Sequence, residues 1–243
     1  MKKLSSSIIF GIAIILAAFF LGKSYVDRAK AEGTIQVTGS GEIDFTSDLI
    51  VWECDFSAQN MSLKDAYNNL ENNKDLIKKY LEKKGVPQDE MVFSAVKTRE
   101  INESKYSGNG EYIGTEFKGY LLSQTVEIES EAVEKTEIIS REITELLNDG
   151  VQLFSGTPRY YYTKLADLKI ELISKATEDA KLRADKIAEF SGGKLGDIQS
   201  ANMGVFQITG QNSNEDYSWG GTFNTSDKHK TASITIKLVY EVD

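Results

Sequence analysis

Two stretches of strict two-residue alternation constrain this chain more than any other feature. From Asp48 to Asn60, Ile50, Trp52, Cys54, Phe56 and Ala58 alternate with Val51, Glu53, Asp55 and Ser57. From Thr231 to Asp243, Ala232, Ile234, Ile236, Leu238, Tyr240 and Val242 share one side, with Ser233, Thr235, Lys237 and Glu241 among the opposite positions. Successive strand side chains point to opposite faces, so this pattern requires a sheet with one face buried and the other wet. A helix would scatter the same residues around its circumference.

Other segments change period. Thr34 to Glu42 reads as a first strand, with Ile35 and Val37 on one face and Gly39-Ser40-Gly41 permitting a bulge or turn, and it is expected to pair with the second strand. Ser62 with Asp65 resembles a capping box, and Leu63, Ala66, Tyr67, Leu70, Ile77 and Leu81 recur at helical spacing up to Gly85. Met91 to Ile101 and Phe117 to Glu129 read as a long hairpin around a polar loop at Ser107 to Gly110. Ser130 is the expected N-cap of a second helix with Val133, Ile139, Ile143, Leu146 and Leu147 on its apolar stripe, ending at Gly150. Val151 to Tyr162 is extended again. Gly85-Val86 and Gly150-Val151 stand at matching points of a strand, helix, strand order, which suggests a loose duplication of a βαβ unit.

Leu165, Leu168, Leu172, Ala176, Ala180, Ala184 and Ile187 then mark a third helix, about 27 residues and near 40 Å long, closing at Gly192-Gly193. Its alanine-lined middle suits close packing on a sheet. Lys194 to Ile208 is extended, and Thr209 to Asp227 is a polar stretch long for a loop. The predicted architecture is α+β. It has antiparallel or mixed sheets with helices on one face, two loosely repeated βαβ-type units plus the long third helix, and one N-terminal transmembrane or signal helix.

Residues 4–22 carry no charge and are rich in Ile, Leu and Phe, long enough to cross a ~30 Å hydrocarbon layer. A cleaved signal and a retained anchor compete. Ala29-Lys30-Ala31 fits a small-x-small cleavage site, but it lies beyond a charged stretch, which favours the anchor. The segmentation is then 1–31 as anchor and linker and 32–243 as the extracytoplasmic domain. Five of the 28 Lys and Arg but one of the 37 Asp and Glu fall in the first 30 residues, so the body carries 13 more acids than bases. That charge opposes nucleic-acid binding, which depends on Lys and Arg displacing counterions.

One cysteine and one histidine leave no disulfide within the chain and no common zinc spacing. Cys54 sits on the inward face of its strand as an inert thiol. His229, between Lys228 and Lys230, reads as solvated and no Ser-His-Asp arrangement is expected. Gly39-x-Gly41 and Gly108-x-Gly110 open no helix and read as turns, not nucleotide loops. No catalytic, cofactor or metal residue is expected, and carboxylates read as polar helix faces, with a hidden hydrolytic acid pair the remaining enzymatic alternative. Tyr217, Trp219 and Phe223 stand out in a Gly, Asn and Ser rich loop. Two roles are open to them, contact with a partner or folding back on the domain.

Thr34-Ile-Gln-Val-Thr-Gly-Ser-Gly-Glu42, followed by Ser47-Asp48 and a buried strand, resembles the opening of SIMPL-domain proteins, the YggE-like envelope group. Ala180 to Ile198 is similar to that family's alanine-rich helix and Gly-x-x-Leu-Gly turn, and Tyr120 to Gly150 fits in order and length. Ser47-Asp48 stands where the family often has Pro-Asp. The resemblance implies a periplasmic or membrane-anchored bacterial envelope protein without known enzymatic activity, linked in some members to oxidative-stress tolerance and in some to ring-like homo-oligomers. The expected function is therefore assembly or protein contact, with small-ligand or peptide binding between sheet and helices as the alternative.

Overall fold

The computed structural model describes residues 2–29 and 33–242, with side chains in the first helix described for residues 10–25. Helix α1 runs Lys2–Ala29. Its described side chains, Phe10, Ile14 and Leu21 among them, are exposed. Among the described residues no helix is long and apolar enough to cross a membrane. The anchor expected over residues 4–22 lies partly outside the described side chains, and the cleavage site at Lys30 and Ala31 lies outside the described residues.

The remaining elements, in order, are β1 (Gly33–Thr46), β2 (Leu49–Asn60), α2 (Leu63–Lys83), β3 (Met91–Phe93), β4 (Lys97–Tyr106), β5 (Tyr112–Ser130) and α3 (Val133–Glu142). A 3-10 turn over Ile143–Asp149, β6 (Gln152–Ser155), β7 (Arg159–Tyr161), α4 (Leu165–Ser191), β8 (Leu195–Met203), β9 (Gln207–Gly210) and β10 (His229–Val242) follow. The α+β reading holds. Two compact units share these elements: Met1–Gly41, Ile173–Gly204 and Ile234–Asp243 form one, and Glu42–Leu172 with Val205–Ser233 the other.

The larger unit is built on a six-stranded sheet of order β3-β5-β2-β6, with β4 also on β5 and β7 also on β2, every ladder antiparallel. β2 and β3 therefore run parallel with β5 between them, and β5 and β6 run parallel with β2 between them. These are two interleaved split βαβ units, the ferredoxin-like order, so the loose duplication has a structural counterpart. Both helices end alike. Gly85 and Gly150 take φ of +80° and +81°, and the next residues, Val86 and Val151, donate to Leu81 and Leu146 carbonyls five residues back, a Schellman closure that favours glycine. α2, α3 and the 3-10 turn bury Ala66, Leu70, Ile77, Leu81, Ile139 and Ile143 against Trp52, Cys54, Phe56, Leu122, Val126 and Ile128 on one sheet face. Trp52 keeps its N–H satisfied there, donating to the Ser155 hydroxyl at 3.0 Å, and that hydroxyl donates onward to the Ser140 carbonyl.

Three expectations need correction. β2 does not pair with β1: it lies between β5 and the β6 and β7 strands, while β1 flanks β10. Ser47 and Asp48 form no hairpin turn, because Ser47 N–H donates to Lys228 O and Asp48 N–H to Tyr161 O, while the Asp48 carboxylate holds the Thr163 N–H and hydroxyl. The connection is thereby led onward to a different sheet. Ser130 is not the N-cap of α3. Ala132 holds that position without a side-chain bond, and the Ser130 hydroxyl accepts from Ala132 N–H in the entry turn. Leu63, Tyr67, Leu147 and Ile187, expected on apolar stripes, are exposed. The Ser62 cap of α2 does form, accepting from Asp65 N–H, while Asn60 rather than Asp65 receives the Ser62 N–H.

In the smaller unit the alanine face of α4 explains the glycine of β1. Ala176, Ala180 and Ala184 are fully buried, and a methyl at Gly39 would collide with the Ala176 carbonyl and the Ala180 backbone and side chain. The Ser40 N–H then reaches the Asp179 carboxylate at 2.9 Å. That bond, with help from Arg183, holds the Asp179 pKa below its ordinary value. Gly39→Ala is expected to destabilise the protein by about 2 kcal/mol, the usual cost of forcing extra carbon into a closed contact. Thermal unfolding followed by circular dichroism measures it, and Gly108→Ala, where an added methyl meets open space, is the comparison expected to cost less.

Candidate functional site

The loop after β9 is long, yet it is closely tied. Gln207 is buried, and its amide nitrogen donates to the Ser218 carbonyl while its oxygen accepts from Ser218 and Thr222 N–H groups. Glu215 accepts from Gly210 N–H at 2.9 Å and from the Asn224 amide at 2.6 Å, and Asn224 also holds Asp227. Buried Gln207 and Asn224, with exposed Glu215, thus fix the backbone. The aromatic residues point the other way: Trp219 is fully exposed, Tyr217 68% and Phe223 52%. The backbone at Phe223 nonetheless pairs with Ile208 of β9.

Beneath this loop lies a residue that the alternation pattern passed over. Lys230 is the second residue of β10 and is 1% exposed, its ammonium donating to the Tyr160 carbonyl at 2.5 Å. Burial lowers its pKa from 10.5 to about 8, against the attraction of Asp227 and Glu215. Position 230 has the parity of Ala232 and Ile234, so its burial was legible in the strand period. Lysine at that position disguised it.

The wet face of the six-stranded sheet carries a concavity of about 640 Å³. Register explains it. Lys97 stands opposite Ser123, Ser123 opposite Ser57, and Ser57 opposite Gln152, forming one row across four strands. The adjoining row runs Thr125, Asp55, Phe154. Small hydroxylated side chains occupy the middle strands, while Lys97, Leu121, Gln152 and Phe154 stand taller around them. The Thr125 hydroxyl donates to Asp55 at 2.5 Å and fixes one carboxylate oxygen. One row further, Arg159 pairs with Glu53 at 2.5 Å and lies 3.9 Å from Glu127. Phe154 is 70% exposed.

β4 and the first part of β5 form a third feature, the expected hairpin around Ser107 to Gly110. Almost every β4 side chain is exposed. Tyr106 and Tyr112 meet edge to face near its tip, and Lys118 bridges Glu116 and Glu103 across the strands. Those bonds raise the Lys118 pKa and lower that of Glu116. Mixed charge along an open edge discourages indiscriminate strand addition.

The thiol is placed inertly. Cys54 is buried, and desolvation with the neighbouring Asp55 pushes its thiol up to about 12. His229 shares a 3.1 Å hydrogen bond with the Thr46 hydroxyl. Among the described residues no three His, Cys, Asp or Glu side chains gather as a metal-holding group.

Residues 35–238 match the SIMPL family, described as a protein of unknown function (DUF541). Comparison with curated proteins finds no match.

Lys230 yields a pH signature. Its folded pKa lies below its unfolded value, so the native state bears the desolvation penalty below about pH 8 and sheds it as pH rises towards 10.5. Stability of the wild type relative to Lys230→Met is expected to increase by about 3 to 4 kcal/mol across that window, since each pKa unit corresponds to about 1.4 kcal/mol. Urea unfolding of both proteins at intervals of pH measures the difference, and a flat difference would refute the assignment.

Proposed function

This chain belongs to the SIMPL family, and on that premise we propose a non-enzymatic protein of the bacterial cell envelope that works by contact, assembling with further copies of itself. The observation that carries the reading is the pairing of a tied loop with outward aromatic residues. Binding is weakened by the entropy of ordering flexible groups, and a loop already held by Gln207, Glu215 and Asn224 avoids much of that loss. Trp and Tyr supply large contact area with few rotatable bonds, which suits them to anchor an interface.

The N-terminal helix serves this reading as an anchor with the body outside the cytoplasm. Holding subunits by one end in a bilayer raises their local concentration, so modest contacts between bodies suffice. A part in oxidative-stress tolerance, which the family resemblance implies, is then indirect. The only thiol is buried and held protonated, and a redox sensor needs an accessible thiolate.

Light scattering on the full-length protein in detergent at micromolar concentration is expected to give an oligomer. Trp219→Ser combined with Tyr217→Ser should raise the dissociation midpoint by about ten-fold or more, as loss of a central aromatic anchor does. A monomeric wild type would end the assembly reading, and a C-terminal reporter found in the cytosol would end the envelope placement. Native Cys54 is expected to resist thiol reagents and to react at once when the chain is unfolded in urea.

A further inference from the structure

The concavity on the wet face of the six-stranded sheet has a charge layout that the assembly reading leaves unused. Lys97 stands at one end of the floor on β4. Among the described residues it takes part in no ion pair. Two strands away and one row along, Asp55 lines the same concavity with one oxygen held by Thr125 and, among the described residues, no ion pair. The neighbouring acids Glu53 and Glu127 are compensated by Arg159. One unpaired cation and one unpaired carboxylate therefore oppose each other across a floor of Ser57 and Ser123 hydroxyls. With strands about 4.8 Å apart and about 3.4 Å per residue along them, the two Cα positions are separated by roughly 12 Å.

Phe154 adds direction. It stands opposite Asp55 on the outer side from Lys97, so an apolar group of the ligand must lie near its positive end. A volume of about 640 Å³ falls within the ordinary range for small-molecule sites, and an extended chain of three residues spans roughly 10 Å.

We propose that this face binds a short zwitterionic peptide, with its carboxylate at Lys97, its free ammonium at Asp55 and an N-terminal aromatic side chain against Phe154. Ser57, Ser123 and Gln152 offer hydrogen bonds to its amide groups. The site lies within one subunit, over the wet face of the sheet and reaching Leu147 beside β6, so it stands or falls independently of assembly.

Calorimetric titration of the full-length protein in detergent tests it, with phenylalanyl-alanyl-alanine, its C-terminal amide and its N-acetyl derivative as probes. Wild type is expected to bind the free peptide saturably and each modified peptide about five-fold or more weakly, the scale of a partly exposed charge pair. Lys97→Met should erase discrimination against the amide alone. Asp55→Asn, which retains an oxygen for Thr125, should erase discrimination against the acetylated form alone. Circular dichroism of both variants should match wild type, since both positions lie on the wet face. No saturable binding by wild type, equal binding of all three peptides, or unchanged discrimination in folded Lys97→Met would overturn the proposal. Heat that is the same with micelles alone would do so too.

Discussion

The larger unit depends on the burial of one face of β2. Trp52, Cys54, Phe56 and Ala58 form the middle of its core, and the strand is hydrogen-bonded on both edges, to β5 along eleven registered pairs and to β6 and β7 on the other side. A strand in that position cannot slip by one residue, because every apolar side chain would then face water and every carboxylate the core. The fixed register of β2 in turn fixes β5 and β6. Through them it sets where α2 and α3 lie and where their glycine closures return the chain.

The same register builds the wet face. Apolar alternation that places Trp52, Cys54 and Phe56 inward necessarily places Glu53, Asp55 and Ser57 outward, and neighbouring strands contribute Ser123, Thr125, Gln152 and Phe154 in line with them. Core and concavity are two consequences of one period. This is why a surface lined by unremarkable residue types acquires a floor of short side chains, a rim of long ones and charges at defined separations.

The smaller unit relies on a different constraint, close approach. Buried alanines on α4 and the bare backbone of Gly39 let helix and strand come within reach of a backbone-to-carboxylate bond between Ser40 and Asp179. Small residues contribute little apolar area each. What they permit is contact that larger side chains would prevent, and the directional bond then defines the alignment.

Period, punctuation and composition by themselves determined the α+β class, the long hairpin, the three helices after the N-terminal one, the alanine face of α4, the paired Gly-Val closures and the family resemblance. All of these are local, set by side-chain spacing of two or about 3.6 residues and by glycine at positive φ. Pairing was not local. Adjacent β1 and β2 separate into different sheets because Ser47 and Asp48 bond to residues 228, 161 and 163, partners more than a hundred residues away that no spacing rule reveals. The aromatic loop was legible as unusual, but its outward direction came from Gln207, Glu215 and Asn224 acting together from separate positions. The burial of Lys230 followed the strand period under a residue type that disguised it, whereas the row of Lys97, Ser123, Ser57 and Gln152 was decided by tertiary structure alone. Identical polar residues read as solvent-facing in sequence, and only strand register determines which of them stand side by side.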